Sequence, residues 1–168
     1  LTSPMDGSPQ CALLNATTEQ ALLAEYCRIA VETGGYRMAW VGLADSGADS
    51  RVKMISCYGH VDGFLDKATW AETGNDNGPT DNAIRSGQLQ FVDIAPDSDE
   101  PTSWQIESFK RGYRSAVAVP FNMPNQMIAC LTLYSSRMDS WSESERNLLH
   151  EIASDLAFGI AVLDTAIA

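Results

Sequence analysis

The sequence is short of positive charge and has no long apolar segment. Its 168 residues carry 11 basic and 22 acidic side chains, so the formal net charge at pH 7 is −11. A chain of that sign repels phosphate backbones and anionic membrane surfaces. No apolar run approaches the roughly 18 residues that a membrane-spanning helix needs. We therefore expect a soluble, cytoplasmic protein, or a soluble piece of one, with neither nucleic acid nor membrane as a partner.

Cysteine and histidine are too few and too scattered for a metal or redox site. The four cysteines form no CxxC pair, and Cys27, Cys57 and Cys130 each lie within an apolar pattern. A thiol in such a pattern acts as a small hydrophobic side chain, so we interpret these three as buried structural residues, which suits a reducing compartment. His60 and His150 are the only histidines. We expect no metal, and no Ser/His/Asp set or paired carboxylates suggest hydrolysis.

Length and composition indicate one globular domain. With 45% hydrophobic and 20% charged residues, the chain can bury a single core without disulfides or metal. The first ten residues contain Ser, Pro and Gly and lack the apolar centre of a signal peptide. We interpret residues 1–15 as a linker or cloning remnant and residues 16–168 as one domain, excised from a longer protein.

Hydrophobic periodicity and turn residues predict alternating helices and strands. The helices are predicted at 18–32, from Pro79 to the glycine at 87, at 104–111, and from Ser142 nearly to the end of the chain. The strands are predicted at 36–43, 52–58, 89–93, 115–121 and 127–134. This order is an α+β pattern with one antiparallel sheet. Its nearly continuous apolar strands need cover on both faces.

Several spaced segments resemble those of GAF domains in bacterial signalling proteins, in the same order over residues 22–163. They are GYRMAWVGL at 35–43, GHVDGFL at 59–65, GPT at 78–80 leading to AIRSG at 83–87, VDI at 92–94, RGYRS at 111–115 with VP at 119–120, and LTLY at 131–134. The resemblance implies a PAS-like fold: a central antiparallel sheet of five or six strands, with the terminal helices on one face and short helices and loops around a pocket on the other.

The resemblance also implies a function. It implies a non-catalytic regulatory sensor that binds a small molecule and signals through its C-terminal helix to a covalently linked output domain. A diguanylate cyclase, a cyclic-dinucleotide phosphodiesterase or a histidine kinase is such an output. The identity of the ligand and of any cofactor is left unknown.

In that topology eight residues are expected to bind the ligand: Trp40, Tyr58, His60, Trp70, Thr80, Asp81, Tyr113 and Ser115. A cavity walled by aromatic rings with a few polar groups is the usual form of a small-molecule site. Trp70 would act as a lid, whereas Trp40 and Tyr58 are equally compatible with plain core positions. Asp81 stands where glycine is common in the family, and its carboxylate at the pocket mouth disfavours an anionic ligand.

The family also includes members with other activities and ligands, which are alternatives to a non-catalytic sensor. One branch reduces free methionine sulfoxide, which requires a reactive thiolate and usually a resolving thiol. Because no cysteine lies between Gly59 and Met127, we reject that activity and a covalently attached bilin with it. The residue set that marks the cyclic-nucleotide binders is missing. A haem-binding sensor, with His60 as axial ligand, is a less favoured alternative, because no second histidine, CxxCH motif or cysteine at helical spacing from His60 supports it.

The final helix predicts a homodimer. Leu149, Ala153, Leu156, Ile160 and Leu163 recur at alternating spacings of four and three, which is a heptad-like seam. We expect the terminal helices to pair with a second copy through this seam. The alternative is that the helix packs wholly onto its own sheet. A ligand-free dimerisation module is accordingly the second functional hypothesis.

Overall fold

Four α-helices, five strands and one 3₁₀ turn (Pro124–Gln126) form the regular structure of the described part of the chain, which in the computed structural model comprises residues 18–45, 52–59, 78–95, 103–138 and 141–167. The helices are α1 (Thr18–Glu32), α2 (Pro79–Ser86), α3 (Ser103–Lys110) and α4 (Glu143–Ile167). The strands are β1 (Met38–Asp45), β2 (Lys53–Gly59), β3 (Gln90–Asp93), β4 (Ser115–Met123) and β5 (Met127–Ser135). The predicted linker at 1–15 lies outside these ranges. No described helix is both long and apolar enough to cross a bilayer.

The five strands form one sheet in the order β2-β1-β5-β4-β3, with every pairing antiparallel. Trp40 on β1 lies opposite Cys57 on β2 and opposite Thr132 on β5. The register between β1 and β2 shifts between Val41 and Gly42, which inserts a bulge. The sheet and its helices confirm the α+β fold that the sequence predicts.

The back face of the sheet, defined here as the face covered by α1 and α4, carries the main core. Val41, Val117 and Leu131 point to this face from three neighbouring strands, and α1 adds Leu23 and Cys27. Each of these side chains is at most 2% exposed. Full burial of a side chain such as leucine stabilises the fold by roughly 1.5–3 kcal/mol. The back face is therefore a conventional aliphatic core.

The apolar seam of α4 belongs to this core, which corrects the predicted dimer contact. Leu149, Leu156 and Ile160 are buried against the sheet, and Leu163 is half-buried. These side chains are occupied within their own chain, so they do not form the expected interface with a second copy. A spacing of three and four is typical of a coiled-coil seam and equally of a helix that packs one face on a sheet. The second arrangement is the one observed.

The start of α4 is fixed at the capping residue that the sequence predicts. The backbone N–H of Glu145 donates a hydrogen bond to Ser142 Oγ at 3.1 Å, which is one half of a capping box. The Glu145 carboxylate accepts a hydrogen bond from the Tyr36 hydroxyl at 2.7 Å. The first turn of α4 is thereby attached to the segment that leads into β1.

The opposite, front face of the sheet is covered by the two short helices α2 and α3. α2 begins with Pro79 at its first turn and ends at Gly87, whose φ of 73° is a left-handed conformation that glycine adopts readily. Gly78 lets the chain pass close to α3, because a Cβ at Gly78 would lie 3.1 Å from the Trp104 ring. The turn, helix and glycine stop that the sequence predicts at its centre are confirmed.

Candidate functional site

The centre of the front face is built from small and polar side chains. Trp40, Thr132 and Ala118 lie side by side on β1, β5 and β4. Thr132, Ala118 and the neighbouring Cys130 are fully buried. The Trp40 ring lies across Gly42, since a Cβ at Gly42 would come within 2.9 Å of that ring. Unlike the back face, this surface offers few large aliphatic side chains for the helices above it to pack on.

A pair of hydroxyl groups joins α2 to the middle of the sheet. Thr80, in the first turn of α2, places its Oγ1 atom 2.5 Å from Thr132 Oγ1, and both side chains are buried. The Cys130 Sγ atom lies 3.7 Å from the same Thr132 hydroxyl. Buried polar groups are stable only when they are paired, so this contact fixes the height of the first turn of α2 above the sheet.

An aromatic cluster, formed by Trp40, Trp104, Tyr113 and Tyr134, fills the front face beside the hydroxyl pair. Trp104 Nε1 donates a hydrogen bond to the Tyr134 hydroxyl at 3.1 Å, and the ring centroids of Tyr113 and Tyr134 are 4.6 Å apart. Burial raises the pKa of the Tyr134 hydroxyl above its ordinary value, although the indole N–H groups of Trp104 and Trp40 act to lower that pKa. Tyr134 is therefore a neutral hydrogen-bonding group.

The indole N–H of Trp40 is a buried donor that lacks a well-formed hydrogen bond. It faces the Tyr134 hydroxyl, yet no residue in the described part of the chain accepts from it with hydrogen-bonding geometry. The Trp40 side chain is 7% exposed. An unpaired buried donor costs about 1–3 kcal/mol. An acceptor supplied here by a bound molecule would therefore bind favourably.

Charged groups near the front face are paired within the helices that cover it. The Asp81 carboxylate lies 3.2 Å from the Arg85 guanidinium, one turn further along α2. Among the described residues Arg111 is the only buried charged side chain, and its guanidinium lies 2.8 Å from Glu107. The Nε atom of Arg37 donates to the Arg111 carbonyl at 2.7 Å. These charged groups are therefore already engaged in contacts within the chain, which suits an uncharged molecule as the ligand.

The structure brings three of the predicted site residues together on the front face. Trp40 and Tyr113 belong to the aromatic cluster, and Thr80 forms the hydroxyl pair. Asp81 follows Thr80 on α2, where its side chain is 17% exposed and paired with Arg85. Predicted positions on three separate segments therefore meet beneath α2 and α3.

Of the other four predicted residues, two lie elsewhere in the structure and two are outside its described part. Tyr58 lies opposite Ala39 and packs against the back core, where its hydroxyl bonds to Glu32 of α1, so its expected place in the pocket is corrected. Ser115 is buried at the start of β4 and its hydroxyl donates to the Arg137 carbonyl at 2.5 Å. Two further residues, His60 and Trp70, lie outside the described part of the chain, and their roles stay predictions.

Sequence reasoning missed the residues with which the converging side chains interact. Thr132 and Tyr134 on β5, and Trp104 on α3, supply most of the polar contacts of the front face. Their positions were recoverable in part from the alternation along Met127–Ser135, where every second residue belongs to the back core. The pairing partner of each position was not recoverable, because register depends on the whole sheet.

The described thiols are unsuited to redox catalysis. Cys27 and Cys130 are free, and burial raises the pKa of each thiol to about 12. The reactive form of cysteine is the thiolate, which is scarce at neutral pH when the pKa is that high. Cys57, interpreted from the sequence as a buried thiol, is instead disulfide-bonded. No group of three potential metal ligands occurs among the residues described.

Solved structures with the same fold include GAF domains of signalling-type proteins, one of them from a sensor histidine kinase, and an enzyme. The GAF domain/HD domain protein of Geobacter sulfurreducens has 16% sequence identity and a TM-score of 0.62, with 89% of this chain and 95% of that chain covered. The GAF domain of a two-component sensor histidine kinase of Bacillus halodurans has 13% identity and a TM-score of 0.58, with 90% and 97% covered.

The enzyme is the free methionine-R-sulfoxide reductase of Neisseria meningitidis, solved in complex with its substrate. It has 19% identity and a TM-score of 0.61, with 88% of this chain and 81% of that chain covered. At such identities the likeness concerns the fold alone. A search of curated proteins finds no match. The family model for the GAF domain matches residues 16–161, which is most of the sequence, and the chain therefore belongs to the GAF domain family.

Proposed function

We propose that this chain is a non-catalytic regulatory sensor domain that binds a small uncharged molecule on the front face and signals through α4 to an output domain. The observation that carries the proposal is the Trp40 indole N–H, a buried donor without a well-formed hydrogen bond beside the hydroxyl pair of Thr80 and Thr132. In the relatives, a GAF domain is part of a histidine kinase in one case and accompanies an HD domain in the other. These cases support a signalling output domain, such as a histidine kinase, for this chain.

The cover of the front face is well suited to a ligand-dependent rearrangement. α2 and α3 have eight residues each. Helices shorter than about 12–15 residues are marginal in water on their own, so both depend on their contacts with the sheet. A molecule that replaces some of those contacts can shift the helices at small cost. A ligand favours one arrangement only through its differential affinity for the two.

Catalysis by cysteine is disfavoured even though the fold is shared with sulfoxide reductases. Cys27 and Cys130, the free thiols among the described residues, each have a pKa of about 12, and they lie on opposite sides of the sheet, Cys27 on α1 in the back core and Cys130 on β5 facing the front. A catalytic thiol and a resolving thiol must be accessible to each other and to the substrate. The described part of the chain offers no such pair.

A homodimer remains part of the proposal, but through a different surface of α4. Leu148, Phe158 and Val162 are 54%, 71% and 48% exposed, and helical periodicity places them on the side facing away from the sheet. We call these three residues the outer stripe. Because a large exposed aromatic side chain is typical of an interaction surface, we assign the pairing of two copies to this stripe. A ligand-free dimerisation module, the second candidate function, rests on the same observation.

Native mass spectrometry of the purified protein, followed by denaturing analysis of what it releases, tests the sensor proposal. We expect a reproducible small-molecule mass that is lost on denaturation. Trp40→Phe retains an aromatic ring but removes the N–H, and it should weaken binding roughly two- to tenfold, as loss of one hydrogen bond implies, with a matching fall in occupancy below saturation.

The matched control is Tyr26→Phe, which likewise keeps an aromatic ring while it removes one polar hydrogen, at a side chain packed against the back core and outside the front face. This variant should keep the bound mass. Equal loss in both variants would contradict binding at the front face. Protein that carries nothing through a screen of uncharged metabolites, while remaining dimeric, would favour the ligand-free module.

A further inference from the structure

We propose that an aromatic clasp at the start of α4 transmits movements of the front layer to that helix. The clasp consists of Tyr36, Phe91, Trp141 and Arg146. This inference rests on the proposed function, because it assigns the route between the sensing face and the output helix. It is nevertheless testable in the protein without any ligand.

The clasp holds the Phe91 ring of β3 between two groups of the α4 start. The Arg146 guanidinium lies 4.1 Å from the centroid of the Phe91 ring, and the Trp141 ring centroid lies 5.5 Å from it. Arg146 Nε also donates a hydrogen bond to the Trp141 carbonyl at 3.2 Å, which links the two residues that contact the Phe91 ring. On its other side the Trp141 ring stacks on Tyr36, with centroids 6.0 Å apart. A cation over an aromatic face contributes attraction beyond simple burial.

β3 is the part of the sheet that can move most easily. It has four residues and, within the described ranges, pairs only with β4, where Phe91 lies opposite Val117. A short edge strand has few ladder hydrogen bonds to resist a displacement. The clasp therefore grips a strand that is weakly held by the sheet itself.

α2 and β3 behave as one unit because their junction is short and internally bonded. Only three residues separate the helix from the strand. The Ser86 hydroxyl, at the end of α2, accepts hydrogen bonds from the Gln88 backbone N–H and from Gln90 Nε2, both at 3.2 Å. A displacement of α2 is consequently passed to the first residue of β3, next to Phe91.

The route is then continuous from the front face to α4. A molecule that lifts the first turn of α2 must break the contact between Thr80 and Thr132, and the shift reaches Phe91 through β3. Phe91 contacts Arg146 and Trp141 at the first turn of α4. Elsewhere near α2 the sheet lies between the front and back layers. The edge strand β3 contacts both layers, so it provides a direct route from α2 to α4 around the edge of the sheet.

Native-state hydrogen exchange on a double-mutant cycle tests this coupling. Thr80→Val breaks the hydroxyl pair while it keeps the side-chain shape, and Phe91→Leu opens the clasp. We expect Thr80→Val to accelerate exchange of the amides at 145–149 by about two- to fivefold, the factor that corresponds to weakening one cation–π contact. In protein that already carries Phe91→Leu, adding Thr80→Val should leave that exchange unchanged.

The control is Ile55→Val, a mild destabilisation on β2 at the opposite edge of the sheet, which should not alter exchange at 145–149. The coupling is overturned if Thr80→Val has no effect on these amides, or if its effect is the same with and without Phe91→Leu. Failure here would leave the ligand experiment on Trp40 untouched, since that experiment measures occupancy and not transmission. Conversely, if the exchange experiment shows coupling but native mass spectrometry finds no bound molecule, the clasp stands and the proposal of a ligand-binding sensor is contradicted.

Discussion

The two faces of the sheet are covered in contrasting ways. On the back, α1 and α4 have 15 and 25 residues and bury aliphatic side chains such as Leu156 in a continuous core. On the front, two eight-residue helices lie over threonine, alanine, cysteine and aromatic side chains, held in part by single polar contacts. We infer from this contrast that the back layer maintains the fold and that the front layer is the part that rearranges when a ligand binds.

The largest effect is expected from a cavity in the back core. Leu156→Ala removes a fully buried side chain at the centre of the contact between α4 and the sheet. Such a substitution costs about 2–5 kcal/mol, because the lost transfer free energy adds to that of the cavity. Urea denaturation of the isolated domain measures it. A cost below about 1 kcal/mol would mean that α4 is not part of the scaffold.

A pH titration compares the two faces directly, since each holds one buried thiol. Burial raises the pKa of Cys27 on the back and of Cys130 on the front from 9.0 to about 12. The folded state therefore keeps its thiol protons longer than the unfolded chain, so this stability is complete below pH 9 and is lost as the pH rises towards 12. At pH 10, ionisation of each thiol in the unfolded chain should lower the free energy of unfolding by roughly 1 kcal/mol.

Cys27→Ala and Cys130→Ala should each flatten the fall in stability between pH 8 and pH 10 by that amount, measured by urea denaturation. If the front layer opens more readily than the back, the Cys130 contribution will be the smaller of the two. A pH dependence that neither substitution changes would show that both thiols ionise without unfolding of their surroundings.

The smallest effect on stability is expected at the outer stripe, where the effect on association is instead large. Phe158 is 71% exposed, so Phe158→Ser should change the free energy of unfolding by no more than about 0.5 kcal/mol. It should weaken self-association at least about tenfold in sedimentation equilibrium, as removal of an interface aromatic does. Phe109→Ser, the same change on α3, should leave association intact. Equal weakening by both would exclude the stripe as the interface.

The contrast between the faces also explains what could be predicted from the sequence. Helix and strand positions could be predicted because they depend on local chemistry. As predicted, α2 begins at Pro79 and ends before Gly87, and Ser142 caps the start of α4. Tyr58 was placed on the wrong face because the bulge between Val41 and Gly42 shifts the pairing of β1 and β2. Such a shift moves side chains between faces without leaving a signal in a nearly continuous apolar strand.

The apolar seam of α4 illustrates a different limit. Leu149, Leu156 and Ile160 have a spacing that serves a helix pair and a helix on a sheet equally well, so the pattern could not select between them. The exposed positions of the same helix, Leu148 and Phe158, were the more informative ones, because apolar side chains outside the buried stripe have no role in the domain's own core. Thr132 was missed because its importance comes from its partner Thr80, 52 residues away.

Native-state hydrogen exchange of the unmodified domain tests the division between scaffold and responsive layer most directly. Amides of α4 between 150 and 160 should exchange only through global unfolding, because the buried side chains of this stretch belong to the back core. Amides of α2 and α3 should exchange through local opening, at least about tenfold faster, with little dependence on denaturant. Equal protection of the front and back helices, with equal denaturant dependence, would contradict the assignment of the front layer as the part that responds to a ligand.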